Sequence, residues 1–229
     1  MSWLLAVDTT AEFGSIALLR DDAIIEEMPL RAPDGFGHVI FGALEAFLTR
    51  HQLRPEDIAC FAGATGPGSF TGVRVGLTVV KGLAEAAGRP AVGVSNLKAM
   101  ASSVGRTPWS AADPLVGPLR ATILDARRGE VYGAVYDTQL ECIQQEVVMR
   151  LPDWLAALPS AHIEFVAQDF TPFAQLLEGQ RTLQAPRALA AAIGLLAWRE
   201  FEQGLAIDPA ALDANYVRRS DAELLWKEM

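Results

Sequence analysis

The sequence predicts an α/β fold arranged in two lobes. Three observations support this prediction: strand-like apolar runs alternate with helical ones, breakers crowd residues 105–118, and a strand–aspartate–turn–strand pattern opens each half. With 229 residues, of which 51% are hydrophobic, the chain is long enough to bury one large core or two lobes around a cleft. We therefore predict an N-terminal lobe at residues 1–104 and a C-terminal lobe with a tail at residues 105–229.

Hydrophobic periodicity and turn residues predict the elements of the first half. Short apolar runs ending in turn residues predict strands at residues 3–7, 14–19, 23–28, 58–64 and 91–94. Helical spacing of apolar residues predicts helices at residues 39–50, from 69 to about 88, and at 97–104. Ser69 or Thr71 can cap the second helix, and Ser95-Asn96 the third.

The second half contains fewer clear patterns. Strands are predicted at residues 122–125, 130–136 and 163–167, and short helices at residues 151–158 and from Thr171. A longer helix is predicted at residues 186–203, because Pro186 suits its first turn and Gly204 suits its end. The tail, residues 208–228, is of mixed character, and we expect it to be ordered only against another surface.

Both halves begin with a similar pattern. Asp8 followed by Gly14-Ser15-Ile16-Ala17 is echoed by Asp125 followed by Gly133-Ala134-Val135. Such a repeat is typical of the duplicated fold of actin, hexokinase and Hsp70-type proteins (ASKHA, ribonuclease H-like), in which the two turns face each other across a cleft. The alternative is a pair of ordinary hairpins with acidic turns, which any two-lobed α/β protein could have.

Charge and cysteine content exclude several classes of protein. The net charge of -9 argues against nucleic-acid binding by this chain alone, so any RNA contact would need a partner's charges. Cys60 and Cys142 are interpreted as reduced thiols rather than a disulfide or a metal site, which predicts a cytosolic compartment. No signal-peptide pattern or membrane-length apolar run is present, so we expect a protein that is neither exported nor embedded in a membrane.

The densest motif is residues 63–83, a strand, a glycine-rich turn and a helix with six glycines in twenty-one residues. A glycine-rich turn before a helix favours phosphate binding, but Ser69-Phe70 stands where a P-loop has Lys-Ser/Thr. Gly68, Gly72 and Gly76 recur every fourth residue, so they share one helix face that another backbone can approach closely. That spacing continues beyond the reach of any phosphate, which favours a packing face.

Other candidate sites are incomplete. Asp8-Thr9-Thr10 could hold a metal-bound nucleotide phosphate, but the bulky second turn at residues 125–129 argues against a complete ATP cradle. Within that turn, Arg127 and Arg128 are interpreted as a solvated turn or as a contact for a phosphate or an acidic partner. His38 has Gly42 where a second metal ligand on the same helix face would lie, so no metal site is expected there.

Residues 66–76, continued by Lys81-Gly82-Leu83-Ala84, closely resemble the signature of the bacterial TsaB (YeaZ) family. Residues 5–10, 124–132 and 216–218 resemble further family motifs, so the resemblance spans almost the whole chain. It implies a two-lobed actin-like fold without a catalytic residue, metal or cofactor of its own. The chain would be the scaffold and activating subunit for the catalytic paralogue TsaD, working with the ATPase TsaE to transfer threonylcarbamoyl to the adenosine beside the anticodon of certain tRNAs.

The resemblance also implies cytoplasmic location, tRNA contact only through the complex, any nucleotide at the TsaD interface, and a homodimer when TsaD is absent. The helices of the N-terminal lobe would form the partner interface. Matching residues are Gly42, Ala46, Gly68, Phe70, Thr71, Gly72, Val73, Gly76 and Val80. Gly72→Leu or Gly76→Leu would then abolish TsaD binding and leave the monomer folded.

Vestigial nucleotide or phosphate contacts would come from Asp8, Thr9, Thr10 and Arg127, although Gln168-Asp169 lacks the glycine that many relatives have nearby. Two enzyme hypotheses compete with the scaffold, namely a glycoprotease-like peptidase and an actin-like ATPase. The peptidase would need an activated nucleophile or a metal, and Ser69 is not in a Gly-x-Ser-x-Gly motif.

Overall fold

The computed structural model describes residues 1–105 and 118–218, and it contains two five-stranded sheets. Only the end residues of the predicted boundary segment, 105–118, are among the described residues. The first sheet contains β1 (Trp3–Asp8), β2 (Phe13–Arg20), β3 (Ala23–Arg31), β4 (Ile58–Gly66) and β5 (Ala91–Ser95). The second contains β6 (Leu119–Asp125), β7 (Glu130–Tyr136), β8 (Cys142–Arg150), β9 (Ile163–Ala167) and β10 (Thr182–Gln184).

The two sheets have the same topology. Their strand orders are β3-β2-β1-β4-β5 and β8-β7-β6-β9-β10. In each, the first three strands pair antiparallel, and the fourth and fifth join in parallel. The duplicated, ribonuclease H-like unit confirms the predicted two-lobed actin-like α/β fold.

Five α-helices cover the sheets in the described residues. They are α1 (Ile40–Arg50), α2 (Phe70–Ala87), α3 (Asn96–Ser103), α4 (Leu151–Ala156) and α5 (Ala190–Glu202). Helices α1 and α2 bury one face of the first sheet, α3 and α5 lie between the two sheets, and α4 covers the far face of the second sheet with Trp154. Helix α5 comes from the second half of the chain but packs on the first sheet. The predicted domain boundary at residue 104 stays a prediction.

Helix α5 begins at Ala190, four residues after the predicted start at Pro186. Its first amides are satisfied by distant side chains rather than by a local cap. The amides of Leu189 and Ala190 donate to Ser15 Oγ at 3.1 and 2.9 Å, and the amide of Ala191 donates to Glu27 Oε1 at 2.9 Å. The helix start is therefore set by β2 and β3, which local sequence signals cannot show.

Strands β8 and β10 were not predicted. Strand β8 is exposed or half-buried along its length and carries several polar residues, and β10 has only three residues.

The alignment of the two halves of the repeated aspartate pattern also needs correction. Asp8 pairs with Ser15, and Asp125 pairs with Val131, so the counterpart of Gly14 is Glu130 rather than Gly133.

Among the described residues, no helix combines the length and the apolar character needed to cross a bilayer.

Candidate functional site

A cleft of about 1270 Å³ lies where the ends of β1 and β6 meet. Its walls include the turn after Asp8, the turn after Asp125, the loop at residues 32–38, the first turn of α2 and residues 215–218. The two aspartate turns therefore share one cleft, as the repeated pattern predicts. The cleft also brings Asp8, Thr9, Thr10 and Arg127 together on its lining.

The first aspartate turn is held by hydrogen bonds within the chain. Asp8 Oδ1 accepts from the Thr10 amide at 3.0 Å and from Thr10 Oγ1 at 2.7 Å. Asn96 Nδ2 donates to Thr10 Oγ1 at 2.8 Å, and Asn96 Oδ1 accepts from the Gly66 amide at 3.1 Å. Burial raises the pKa of Asp8, and the bonds from Thr10 oppose that shift. Asp8 therefore joins the ends of β1 and β4 to the start of α3.

Thr9 and Thr10 occupy the space beside the glycines of α2. Thr9 Oγ1 donates to the Gly72 carbonyl at 2.7 Å. A Cβ on Gly72 would overlap the Thr9 carbonyl oxygen, one on Gly76 would lie 2.5 Å from Thr9 Oγ1, and one on Gly68 would lie 2.6 Å from the Thr10 carbonyl oxygen. Gly68, Gly72 and Gly76 therefore leave the space in which the first aspartate turn packs against α2.

This packing corrects the interpretation of Gly72 and Gly76. The space beside them is filled by Thr9 of the same chain, so it is not room for another protein's helix. Both glycines are buried, and so are Val73 and Val80. This packing argues against the expectation that leucine at position 72 would leave the monomer folded, because the clash there is with backbone, whereas the clash at Gly76 is with the Thr9 side chain.

The remaining predicted interface residues lie at the surface or its margin. Gly42 and Ala46 are exposed on α1, and Phe70 and Thr71 are exposed at the start of α2. Phe41 on α1 is 63% exposed and Phe70 is 46% exposed. We name the exposed set Phe41, Gly42, Ala46, Phe70 and Thr71 the outer helix face. Gly68 is half-buried against Thr10 and does not belong to it.

The second aspartate turn is tight and exposed. The amide of Glu130 donates to the Arg127 carbonyl at 3.0 Å, and the central residues Arg128 and Gly129 both have positive φ, at 57° and 76°. The Arg127 side chain is 87% exposed, and its guanidinium lies 3.9 Å from Asp125. Such an exposed, distant pair contributes little to stability.

The C-terminal strap, residues 208–218, runs from α2 across the cleft mouth. The Asn215 amide donates to the Thr65 carbonyl at 2.9 Å, and Arg218 Nη1 donates to the Ala126 carbonyl at 2.8 Å. The sequence predicted that this tail would be ordered against another surface, and the described part is ordered against the chain itself. Residues 219–229 lie outside the described residues.

Glu146 on β8 connects the lobes and was not found from the sequence. Its carboxylate accepts from Ser95 Oγ, from Tyr136 OH at 3.3 Å and from Asn215 Nδ2 at 2.6 Å. Burial raises the pKa of Glu146, and these three hydrogen bonds oppose that shift. Without a prediction of β8, no sequence signal singled out this residue.

Comparison with known proteins agrees with the geometry. A family model described as TsaD, tRNA N6-adenosine threonylcarbamoyltransferase, matches residues 28–174. The chain is 31% identical to the tRNA threonylcarbamoyladenosine biosynthesis protein TsaB of Bacillus subtilis (strain 168), over 98% of each protein. The chain belongs to the TsaB family. The resemblance drawn from residues 66–76 is confirmed.

Further TsaB-family comparisons support this assignment. The chain is 37% identical to TsaB of Escherichia coli (strain K12) over 134 residues, which cover 58% of this chain and 54% of that protein. A crystal structure of an uncharacterized protein from Pseudomonas aeruginosa, described as similar to peptidase YEAZ, has a TM-score of 0.79 and 26% identity. It covers 95% of this chain and 100% of that chain, so the TsaB-family fold extends over nearly the whole length.

Within residues 1–105 and 118–218, no three His, Cys, Asp or Glu side chains come together in a way that could hold an ion. His51 Nε2 lies 2.8 Å from Glu26, and Ser69 Oγ accepts from the Gly72 amide at 3.3 Å. Ser69 therefore acts as the cap of α2.

Asp8→Asn is expected to raise the free energy of unfolding at pH 7, because an amide oxygen can accept the Thr10 bonds without burying a charge. The folded-state pKa of Asp8 is raised, so its stabilising contribution is complete below the unfolded value of about 3.9 and is lost as the pH rises through the folded value. The advantage of asparagine should therefore shrink as the pH falls. Urea unfolding across this pH range measures it. A loss of stability that does not vary with pH would contradict this account.

Proposed function

We propose that this chain is a non-catalytic scaffold and activating subunit in the biosynthesis of threonylcarbamoyladenosine in tRNA. It binds the catalytic paralogue TsaD and, together with the ATPase TsaE, supports transfer of threonylcarbamoyl to the adenosine beside the anticodon. The observation that carries this proposal is the outer helix face, where apolar and small side chains remain exposed on α1 and α2. A surface of this kind is typical of a protein interface.

The composition of that face fits helix packing. Gly42 has no described atom within 4 Å of the position that a Cβ would occupy, and Ala46 is exposed one turn later. Small residues at this spacing let a second helix approach closely, and large apolar side chains are exposed at Phe41 on the same helix and at Phe70 at the start of α2. The same face would form the homodimer when TsaD is absent.

The net charge of -9 is consistent with a subunit that meets tRNA only within the complex, because the partner would supply the basic surface. The proposed site of action is the cytoplasm. The chain needs no cofactor of its own, and any nucleotide would lie at the interface with TsaD.

Isothermal titration of TsaD into this chain tests the proposal, with and without TsaE and ATP. We expect a saturable complex with defined stoichiometry, and we expect TsaD to displace the homodimer. The absence of any complex under all these conditions would overturn the proposal.

A second candidate is an actin-like ATPase, which the cleft favours because Asp8 and Arg127 both line it. The internal bonds of Asp8, Thr9 and Thr10 argue against it, since those groups already have partners in the chain. ATP turnover by the isolated chain, lost in Asp8→Ala, would favour this candidate. For a peptidase, metal analysis and a peptide-cleavage assay on Ser69→Ala provide the corresponding test.

A further inference from the structure

We propose that the C-terminal strap is an interlobe clasp, which occupies the cleft mouth as an internal ligand and holds the two lobes at one relative opening. Two-lobed proteins commonly close around a bound ligand that contacts both sides of the cleft. Here the chain's own residues 215–218 line the cleft and bond to both of its walls.

The strap is fixed first to the first lobe. Lys81 Nζ on α2 donates to the Leu212 carbonyl at 2.8 Å and to the Ala210 carbonyl at 3.2 Å. Leu212 is buried, and a Cβ on Gly93 would lie 2.7 Å from Leu212 Cδ1. The strap therefore begins as part of the packed core of the first lobe.

The strap then bonds to the second lobe. Asn215 Nδ2 donates to Glu146 Oε2 on β8 at 2.6 Å. Arg218 Nη1 donates to the Ala126 carbonyl, Nη2 pairs with Glu130, and the guanidinium lies 5.7 Å from the Tyr132 ring. Only 22% of the Arg218 side chain is exposed, so solvent screens this pair less than a surface pair. These contacts join the strap to both β8 and the second aspartate turn.

Between these two attachments the strap crosses the start of α2. The Tyr216 and Phe70 rings lie 5.7 Å apart, and Arg74 Nε donates to Tyr216 OH at 2.9 Å. The Arg74 guanidinium lies 3.8 Å from the centre of the Phe70 ring. Phe70 belongs to the outer helix face, so the clasp also contacts one edge of the surface in the proposed function.

Distance measurement between two spin labels tests the clasp. The labels are placed by Glu85→Cys on α2 and Glu178→Cys beyond β9, both exposed, in a Cys142→Ser background. Cys60 is buried, and burial raises the pKa of its thiol to about 12, so it should stay unlabelled. Double electron–electron resonance then reports the distribution of interlobe distances.

We expect one narrow distribution for the parent chain, and a broader one shifted to longer distances when Asn215→Ala and Arg218→Ala are combined. Asn215→Ala alone should give a smaller broadening, which keeps the test valid if the double variant unfolds. Arg50→Ala is the matched control, because it removes an ion pair with Glu26 and a stack on Phe47 inside the first lobe, and it should leave the distribution unchanged. Parent-like distributions in both strap variants would overturn the proposal.

The interlobe readout needs no partner, so its failure is distinguishable from failure of the proposed function. Titration of TsaD into the same variants supplies the second readout, which rests on the proposed function through Phe70. A broadened distribution without any TsaD binding by the parent would support the clasp and contradict the scaffold. A parent-like distribution in the strap variants, together with normal TsaD binding by the parent, would contradict the clasp and support the scaffold.

Discussion

Gly72→Leu is expected to destabilise the protein by about 3 kcal/mol or more, or to prevent folding of the first lobe. Any side chain at this position overlaps the Thr9 carbonyl oxygen, and the obstacle is backbone rather than a flexible side chain. Relief would require the first aspartate turn to move, and that turn is bonded to α2 and to Asn96 of α3, which in turn is bonded to β4. Urea unfolding followed by circular dichroism measures the loss.

Gly82→Leu on the same helix is the matched control. Gly82 is exposed, and no described atom lies within 4 Å of the position its Cβ would take. Replacing an exposed helical glycine by leucine should increase stability by up to about 0.8 kcal/mol through helix propensity. If Gly72→Leu unfolded at the same urea concentration as the parent, the packing of Thr9 against α2 would be refuted.

Ala46→Arg is expected to weaken TsaD binding by at least about 100-fold, which corresponds to about 2.7 kcal/mol. Ala46 lies within the outer helix face, so a long charged side chain would keep the partner's helix away and leave a charge buried at the interface. Because Ala46 is exposed in the free chain, stability should change by no more than about 0.5 kcal/mol. Ala46→Glu should behave similarly, which separates steric exclusion from the sign of the charge.

Ala156→Arg provides the control, since Ala156 is an exposed alanine on α4 in the second lobe. It should bind TsaD with the affinity of the parent. Titration calorimetry and unfolding on the three variants separate binding from folding. Equal affinity of Ala46→Arg and the parent would exclude α1 from the interface.

The fold was largely predictable because each lobe begins with strong local signals. Apolar runs fixed β1, β2, β7 and β9 to within two residues, and Ser69 proved to be the cap of α2. Strand β8 escaped prediction because it has no clearly buried face, and the start of α5 escaped because Ser15 and Glu27 cap it from distant strands.

The candidate site was predictable only in outline. The repeated aspartates indicated two turns across a cleft, and the structure places both on its lining. The role of Gly72 and Gly76 could not be resolved, since glycine spacing shows that something approaches closely but not whether it is Thr9 or a partner. Glu146 and Arg218 act through contacts with residues 69 and 88 positions away, which no local pattern encodes.

The most direct test of the central claim is a reconstituted assay of threonylcarbamoyl transfer to tRNA. Threonylcarbamoyl-adenylate, as the donor of the threonylcarbamoyl group, and unmodified tRNA, as its acceptor, are supplied to this chain alone, to TsaD with TsaE, and to all three proteins together. We predict no transfer by this chain alone, little by TsaD with TsaE, and full transfer by the three together, lost again with Ala46→Arg. Transfer by this chain alone, or full transfer by TsaD and TsaE in its absence, would contradict its role as a non-catalytic activating subunit.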